Sequence, residues 1–325
     1  MKIKRIALAV TLLASQVITQ AQAQIQDYPA KPILFVIPFA SGGDSDLSGR
    51  NVAHHASKYL NNRPTVSLNK VGASGAIGSM HVKSATPDGY TLLVARIATH
   101  AVLPAIESRL GYKWNDFSMI SLIELNPFIC FVKPESAIRT AADLIATIRK
   151  SPGKLNYGTA GPGSLHHISG SLLEQLAETK MIAIAYKGTG PAVTDLAAGN
   201  LDIVITTPPG VIPLSQTGKI RILAVTGNQR IPSLPNVPSA AEEGFPNFSV
   251  DAWFGFVAPM GTPPEVVKRL ADEMAKAVTL DSFKKGVEGA GGTVQFQGTA
   301  AFDATIKRDI QMFQRVIKAA NISAE

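Results

Sequence analysis

Short continuous apolar runs alternate along this chain with stretches whose apolar positions recur every three or four residues. Ile33-Leu34-Phe35-Val36-Ile37 is apolar without a break, the pattern of a strand buried on both faces, and Pro38 ends it. A Gly/Ser/Asp loop and a helix from about Asp46 to Leu60 follow. Val66–Leu68 reads as a second strand, Gly72–Gly78 as a turn into a short helix, and Tyr90–Ala95 as a third strand. The long apolar run Leu122–Val132 reads as one strand that leaves a first lobe and enters a second. Thr140-Ala-Ala-Asp143 has the form of a capping box, opening a helix with Leu144, Ile145 and Ile148 on one face. Leu155–Tyr157 is a short strand running into the loop Gly158–Ser164. Beyond it Leu165, Ile168, Leu172 and Leu176 mark a helix with Ser164 as its N-cap. Ile182–Ala185, Ile203–Thr206 and Ile222–Thr226 are further strands, and the proline-rich stretch Ile231–Pro246 is a surface loop. Trp253–Val257 reads as a return strand. Two long helices close the chain, one on Val267, Leu270, Met274 and Val278, the other on Phe302, Ile306, Ile310, Phe313, Ile317 and Ala320.

Alternating strands and helices predict an α/β fold with largely parallel sheets. A chain of 325 residues exceeds what one core usually holds. Two lobes follow, one from residues 24–124 with 252–325 and one from 125–251, joined by a hinge of two crossings whose cleft takes a ligand. The first 23 residues look different: Lys2, Lys4 and Arg5, an apolar stretch from Ile6, then Ala21-Gln22-Ala23 form a secretory leader cleaved near Ala23. The net charge of +7 falls by three to +4 when Lys2, Lys4 and Arg5 are removed, and no block of like charge argues for nucleic-acid binding. A single cysteine, Cys130, forms no internal disulfide and sits in an apolar run, where it reads as a core residue.

Three segments have the order strand, small residues, helix: Pro38-Phe-Ala-Ser-Gly-Gly43, Gly72-Ala-Ser-Gly75 and Gly158-Thr-Ala-Gly-Pro-Gly-Ser164. Glycine allows close backbone approach, and the following helix offers unpaired N–H groups, so such loops can bind a carboxylate without an arginine; the alternative is a set of ordinary αβ turns and caps. None carries the Lys-Ser/Thr ending of a P-loop, and Gly72-x-x-Gly75-x-x-Gly78 is not the dinucleotide fingerprint. Ser164, His166 and His167 lie close together, but no Gly-x-Ser-x-Gly elbow surrounds the serine, and adjacent histidines on a helix point apart. No metal-ligand spacing and no cofactor motif appear.

From Tyr28-Pro-Ala-Lys-Pro-Ile33 onward an ordered set of short motifs resembles the Bug/TctC-type extracytoplasmic solute-binding receptors of tripartite tricarboxylate transporters. The set includes Pro38-Phe-Ala-Ser-Gly-Gly-Asp-Ser-Asp46 with Arg50, Gly72-Ala-Ser-Gly-Ala-Ile-Gly78, Pro87-Asp-Gly-Tyr-Thr-Leu-Leu93, Ser151-Pro-Gly-Lys-Leu-Asn-Tyr-Gly158, Gly161-Pro-Gly-Ser164 with His167, Leu234-Pro-Asn-Val-Pro238 and Trp253-Phe-Gly255. The resemblance implies a type II periplasmic binding protein-like fold of two Rossmann-like lobes. It also implies a periplasmic receptor, not an enzyme, that closes on a di- or tricarboxylate, an aromatic acid or an amino acid. Carried over, the family's ligand contacts fall on Phe39, Ala40, Ser41, Gly42, Gly43 and Asp46 of one lobe and on Thr159, Ala160, Gly161, Gly163, Ser164 and His167 of the other. Ala73 and Ser74 line the cleft, and Asp202 matches a family aspartate. The implied partners are the small acid and membrane permease subunits of the TctA and TctB type, with the receptor a monomer. An orphan receptor reporting to a sensor system, and a serine hydrolase, are the alternatives. Lys70-Val71, Ala185 and Thr207-Pro-Pro-Gly210 depart from the family pattern.

Overall fold

The computed structural model describes residues 28–41, 44–107, 109–161, 164–186, 189–208, 211–289 and 291–320. The leader expected over residues 1–23 lies outside them. Strands and the longer helices are numbered in chain order. The first sheet holds β1 (Ile33–Ile37), β2 (Thr65–Asn69), β3 (Thr91–Arg96), β4 (Phe117–Pro127), β10 (Asp251–Pro259) and β11 (Thr293–Gly298) in the order β11-β4-β10-β3-β1-β2. The second holds β5 (Ile129–Val132), β6 (Asn156–Thr159), β7 (Ile182–Ala185), β8 (Ile203–Thr206) and β9 (Arg221–Val225) in the order β7-β6-β8-β5-β9. The helices are α1 (Asp44–Ser57), α2 (Ala76–Lys83), α3 (Ala141–Lys150), α4 (Leu165–Ala177), α5 (Thr189–Ala198), α6 (Pro264–Ala277), α7 (Asp281–Gly289) and α8 (Thr299–Ala320).

The apolar runs become central strands, as expected. β1 is parallel to both β2 and β3, and its side chains alternate between two cores. Ile33, Phe35 and Ile37 face α1, α6 and α7 together with Leu92, Val94, Phe254 and Phe256. Val36, Leu93 and Ala95 face the opposite core, which α8 covers through Phe302, Ile306 and Phe313. That second core continues without a break into the other sheet, through Phe128, Cys130, Leu144 and Tyr157. α8 also packs on α4, so the last helix braces both halves. A third core lies on the far face of the second sheet and includes Phe131, Ala192, Leu196 and Val204. Burial pushes the Cys130 thiol up to about 12, so it stays protonated and packs as a small apolar group.

The expected single strand Leu122–Val132 is two strands, β4 and β5, broken at Phe128. The break has a physical cause: β4 pairs with β10 as far as Pro127, and the next residue changes partners. The Phe128 N–H lies 2.9 Å from Thr226 Oγ1 and 3.2 Å from the Val250 carbonyl. The chain returns from β9 to β10 through residues 226–250, and Thr226 is buried between the two crossings. Its hydroxyl donates to the Val250 carbonyl at 2.7 Å, and its N–H donates to the Phe128 carbonyl at 2.8 Å. One threonine therefore ties the outgoing and returning segments together.

Candidate functional site

The pairing of the strands decides where their ends lie. β10 runs antiparallel to both β3 and β4, with Phe254 opposite Arg96 and Asp251 opposite Pro127. The C-terminal ends of β1 and β3 therefore lie at the end of the sheet where the chain crosses at Phe128. In the second sheet Ile129 of β5 pairs with Thr206 of β8 and Val225 of β9, and β6 runs parallel to β8. The C-terminal ends of β6 and β8 thus meet the same crossing from the other side. Two sets of loops at strand C-terminal ends converge on one region, the place where α/β sheets collect ligands.

On the first sheet that region begins with Phe39, Ala40 and Ser41; Gly42 and Gly43 lie outside the described residues. Asp46, in the first turn of α1, is buried, and its carboxylate organises the loop. Oδ1 accepts from Arg50 Nε at 2.8 Å and from Asn69 Nδ2 at 2.9 Å, and Oδ2 accepts from Ser41 Oγ at 3.3 Å. Asn69 Nδ2 also donates to the Phe39 carbonyl at 2.9 Å. Asp46 thus joins α1, the end of β2 and the loop after β1, and it shapes the site through those neighbours.

The loop after β2 has an unusual backbone. Gly72, Ala73, Ser74 and Gly75 have φ of +136°, +46°, +51° and +93°. Four successive positive φ values, two of them at residues with a Cβ, store strain of the kind found at ligand-binding loops. Ala73 and Ser74 are exposed, while Gly75 is buried against Thr99 and the Phe39 ring. A Cβ at Gly75 would sit 2.6 Å from Thr99 Cγ2, so glycine lets this loop settle on the next one.

Arg96 ends β3. Its guanidinium carbon stands 4.8 Å from the centroid of Phe39 and 4.9 Å from that of Phe254, and Nη1 donates to Ser45 Oγ at 2.8 Å. The sequence reading missed this residue because it ended the strand at Ala95. The available signal was a lone cation at the C-terminal edge of an apolar strand.

On the second sheet Thr159 is buried and its Oγ1 accepts the Gly161 N–H at 3.2 Å. Ala160 and Gly161 are partly exposed, and Gly161 has φ +102° with no atom within 4 Å of a built Cβ. Gly163 lies outside the described residues. Ser164 caps α4: its Oγ accepts the His167 N–H at 3.2 Å and donates its proton to the Gly161 carbonyl at 2.7 Å. That proton points at a carbonyl and not at a base, which is the geometry of a cap.

Two predicted residues lie apart from this region. Asp202 precedes β8, where Oδ2 accepts the Asn156 N–H and its own N–H donates to Asn156 Oδ1, both at 2.9 Å. This reciprocal clasp joins the N-terminal ends of β6 and β8, three residues or about 10 Å from Thr159. His167 is half-buried with its pKa held below the usual histidine value by burial, and the charges that act on it are Glu174 and Lys180. The neighbouring His166 is the imidazole at the crossing. Its Nε2 lies 3.3 Å from Thr206 Oγ1, and its ring packs edge-on against Phe128 with centroids 5.2 Å apart. Adjacent positions on a helix differ by about 100°, so only one of the two can face the crossing.

A cavity of about 440 Å³ opens on the other flank of the crossing, formed by β4, β11, α8 and the segment after β9. Asp251, Asp309, Arg308 and Asn228 are among its lining residues. Burial, with the nearby Asp309 charge, raises Asp251 to about 6. None of the predicted contact residues lines it, and its two carboxylates stand with two arginines, Arg230 and Arg308. Among the described residues, no cluster of three His, Cys, Asp or Glu side chains is placed to hold a metal ion, and no helix is long and apolar enough to cross a membrane.

Known proteins share this fold. Residues 49–322 match the model of the TctC family, described as the tripartite tricarboxylate transporter family receptor. A UPF0065 protein from the TAR-I ttuE-ttuC' intergenic region of Agrobacterium vitis is 34% identical over 319 residues, 96% of this chain and 91% of that protein. Rpa4515 of R. palustris, solved with adipate, is 31% identical with a TM-score of 0.76, covering 91% of this chain and 99% of that one. MatC of Rhodopseudomonas palustris, solved with bound malate, is 27% identical with a TM-score of 0.72, covering 89% and 100%. The fold is therefore that of periplasmic binding proteins. With a family match that runs from α1 into the end of α8, and a relative above 30% identity spanning nearly its whole length, the chain belongs to the receptor family of the tripartite tricarboxylate transporters.

Proposed function

We propose that this protein captures a small organic carboxylate between its two lobes and delivers it to a membrane transporter. The observation that carries the reading is the convergence of the Phe39–Ser41, Gly72–Gly75 and Thr159–Gly161 loops on one crossing. The lobes are residues 24–124 with 252–325 and residues 125–251, and they turn about Phe128 and Val250. Main-chain N–H groups of both lobes take the ligand carboxylate, with Phe39, Ala40, Ser41, Gly42 and Gly43 as the contact residues of one lobe and Thr159, Ala160, Gly161, Gly163 and Ser164 as those of the other. A ligand bridging both lobes binds the closed form more tightly and shifts the population toward it. Permease subunits of the TctA and TctB type read the closed monomer, and export with cleavage near Ala23 places it in the periplasm. Support comes from the family's role and from relatives that hold malate and adipate.

Isothermal titration of the mature protein against a panel of mono- and dicarboxylates tests the reading. A micromolar or tighter fit for at least one acid, weakened about tenfold or more by Gly161→Val, is the expected result. Gly161 has open space around a built Cβ, so the substitution acts on the backbone conformation and on the cleft. Undiminished binding in that variant removes the second-lobe loop from the site.

A further inference from the structure

We infer that the cavity on the far flank of the crossing is a second binding site, which takes a small organic cation with N–H donors and anchors it on the carboxylate of Asp251. The inference goes beyond the carboxylate reading and does not depend on it.

Three observations carry it. The first is the state of the charges. Four charged side chains line this cavity of about 440 Å³: Arg230, Asp251, Arg308 and Asp309. Three of them are already satisfied. Asp309 Oδ1 accepts from Arg308 Nε at 2.9 Å and from Nη2 at 2.8 Å, and Oδ2 accepts the Trp253 indole N–H at 2.8 Å. Arg230 Nε donates to Glu242 Oε2 at 2.9 Å, and Nη1 donates to the Pro235 carbonyl at 3.0 Å. Asp251 is left over. Among the described residues its carboxylate accepts one long hydrogen bond, from Ser249 Oγ at 3.4 Å, and no ion pair reaches it. Arg308 and Asp309 act on it through space with opposite signs. A carboxylate withdrawn from water with so little compensation gains a charge-assisted bond from a cationic guest.

The second observation is an orphaned hydroxyl. Thr293, at the start of β11, lines the same cavity, and its Oγ1 is buried with no hydrogen-bond partner among the described residues. It can accept an N–H from the guest that Asp251 holds. The third is the size and lining of the space. Its volume falls within the roughly 300–1,000 Å³ of small-molecule sites, and Ile97, Leu125, Pro127 and Met312 give it apolar wall beside the polar groups. An organic ion suits it better than a metal ion, because among the described residues no three His, Cys, Asp or Glu side chains come together.

The test titrates the full mature protein with butylguanidinium against its uncharged counterpart butylurea, and with putrescine against 1,4-butanediol. Thermal unfolding is followed for the natural protein and for two variants, Asp251→Asn and Thr293→Val. The expected result is that each cation binds about tenfold or more tightly than its neutral counterpart. Asp251→Asn erases that preference. It keeps the melting temperature at pH 7, because burial makes the ionised carboxylate unfavourable in the folded protein and asparagine carries no charge. Thr293→Val weakens both cations about threefold or more. The charge preference of the natural protein and the loss in Thr293→Val are read without Asp251→Asn, so they decide the matter even if that variant unfolds. No binding of either cation by the natural protein overturns the inference. So does equal binding of the neutral counterparts, which makes the cavity a site for uncharged polar molecules. Undiminished cation affinity in either folded variant overturns it as well.

Discussion

At the scale of single residues, His100 and Asp251 set opposite responses to acid. His100 is fully buried, with Nδ1 2.9 Å from Thr99 Oγ1, and no partner for Nε2 is found among the described residues. Burial lowers its pKa to about 3. The unfolded chain takes up this proton near pH 6.5, well above the folded protein, so stability falls as pH drops below that value. Asp251 behaves in reverse. Its folded pKa of about 6 lies above the ordinary carboxyl value, so its contribution is greatest at low pH and is lost as pH rises through 6. Between about pH 6 and 4 the two effects oppose each other, so their combined contribution to stability is nearly flat. His100→Phe removes one side of the balance. Chemical denaturation at pH 7 and pH 5 should show the variant gaining about 2 kcal/mol relative to the natural protein over that step. An unchanged difference between the two pH values would falsify the assignment to His100.

At the scale of elements, long apolar runs were readable and partner changes were not. β1, β3 and β8 fall where continuous apolar residues place them, because a strand buried on both faces leaves that signature. The capping box was readable because it is local in sequence, and Thr140 Oγ1 accepts the Asp143 N–H at 3.0 Å as the sequence predicts. The break at Phe128 was not readable, since it is set by Thr226 and Val250, about a hundred residues away in the chain. β11 is too short and polar to stand out, and the π-turn Ala98–Val102 has no strong local signal. Gly158 shows how a reading can be half right. The sequence places it first in an anion loop, but it is a strand residue of β6, and a Cβ there would lie 2.8 Å from Ala192 and from Leu201. Its glycine serves the packing of α5.

Gly170 makes the same point on the other face of that strand. It lies inside α4, where a Cβ would overlap the ring of the fully buried Tyr157. Helix propensity favours alanine by about 1 kcal/mol, and close packing opposes it. Packing should win, because Tyr157 is confined by its own core and the backbone of α4 would have to retreat from β6. Gly170→Ala is expected to cost about 1–3 kcal/mol in denaturant unfolding. A neutral or stabilising result would mean that α4 is free to shift, and with it the Ser164 cap and the Thr159–Gly161 loop.

At the scale of the whole molecule, the crossing has to bend without coming apart. One apolar core runs from the first sheet into the second, and α8 braces both, so the halves should unfold as one cooperative unit. Relative motion between them is left to the short crossing segments. There the buried Thr226 hydroxyl lies 2.7 Å from the Val250 carbonyl and 2.9 Å from the Phe128 nitrogen, and in the proposed closure it is the pin about which both segments turn. Thr226→Val keeps the shape and removes the pin. The Val250 carbonyl loses its best donor in a place water does not reach, a penalty of about 1–3 kcal/mol. Thr226 contributes nothing to the glycine-lined loops, so ligand affinity should stay within about threefold while the melting temperature falls. Small-angle scattering with saturating ligand should show the same contraction in variant and natural protein. If the variant loses affinity more than about tenfold, the energy of closure is stored at Thr226, and the crossing takes part in selecting the closed state instead of only permitting it.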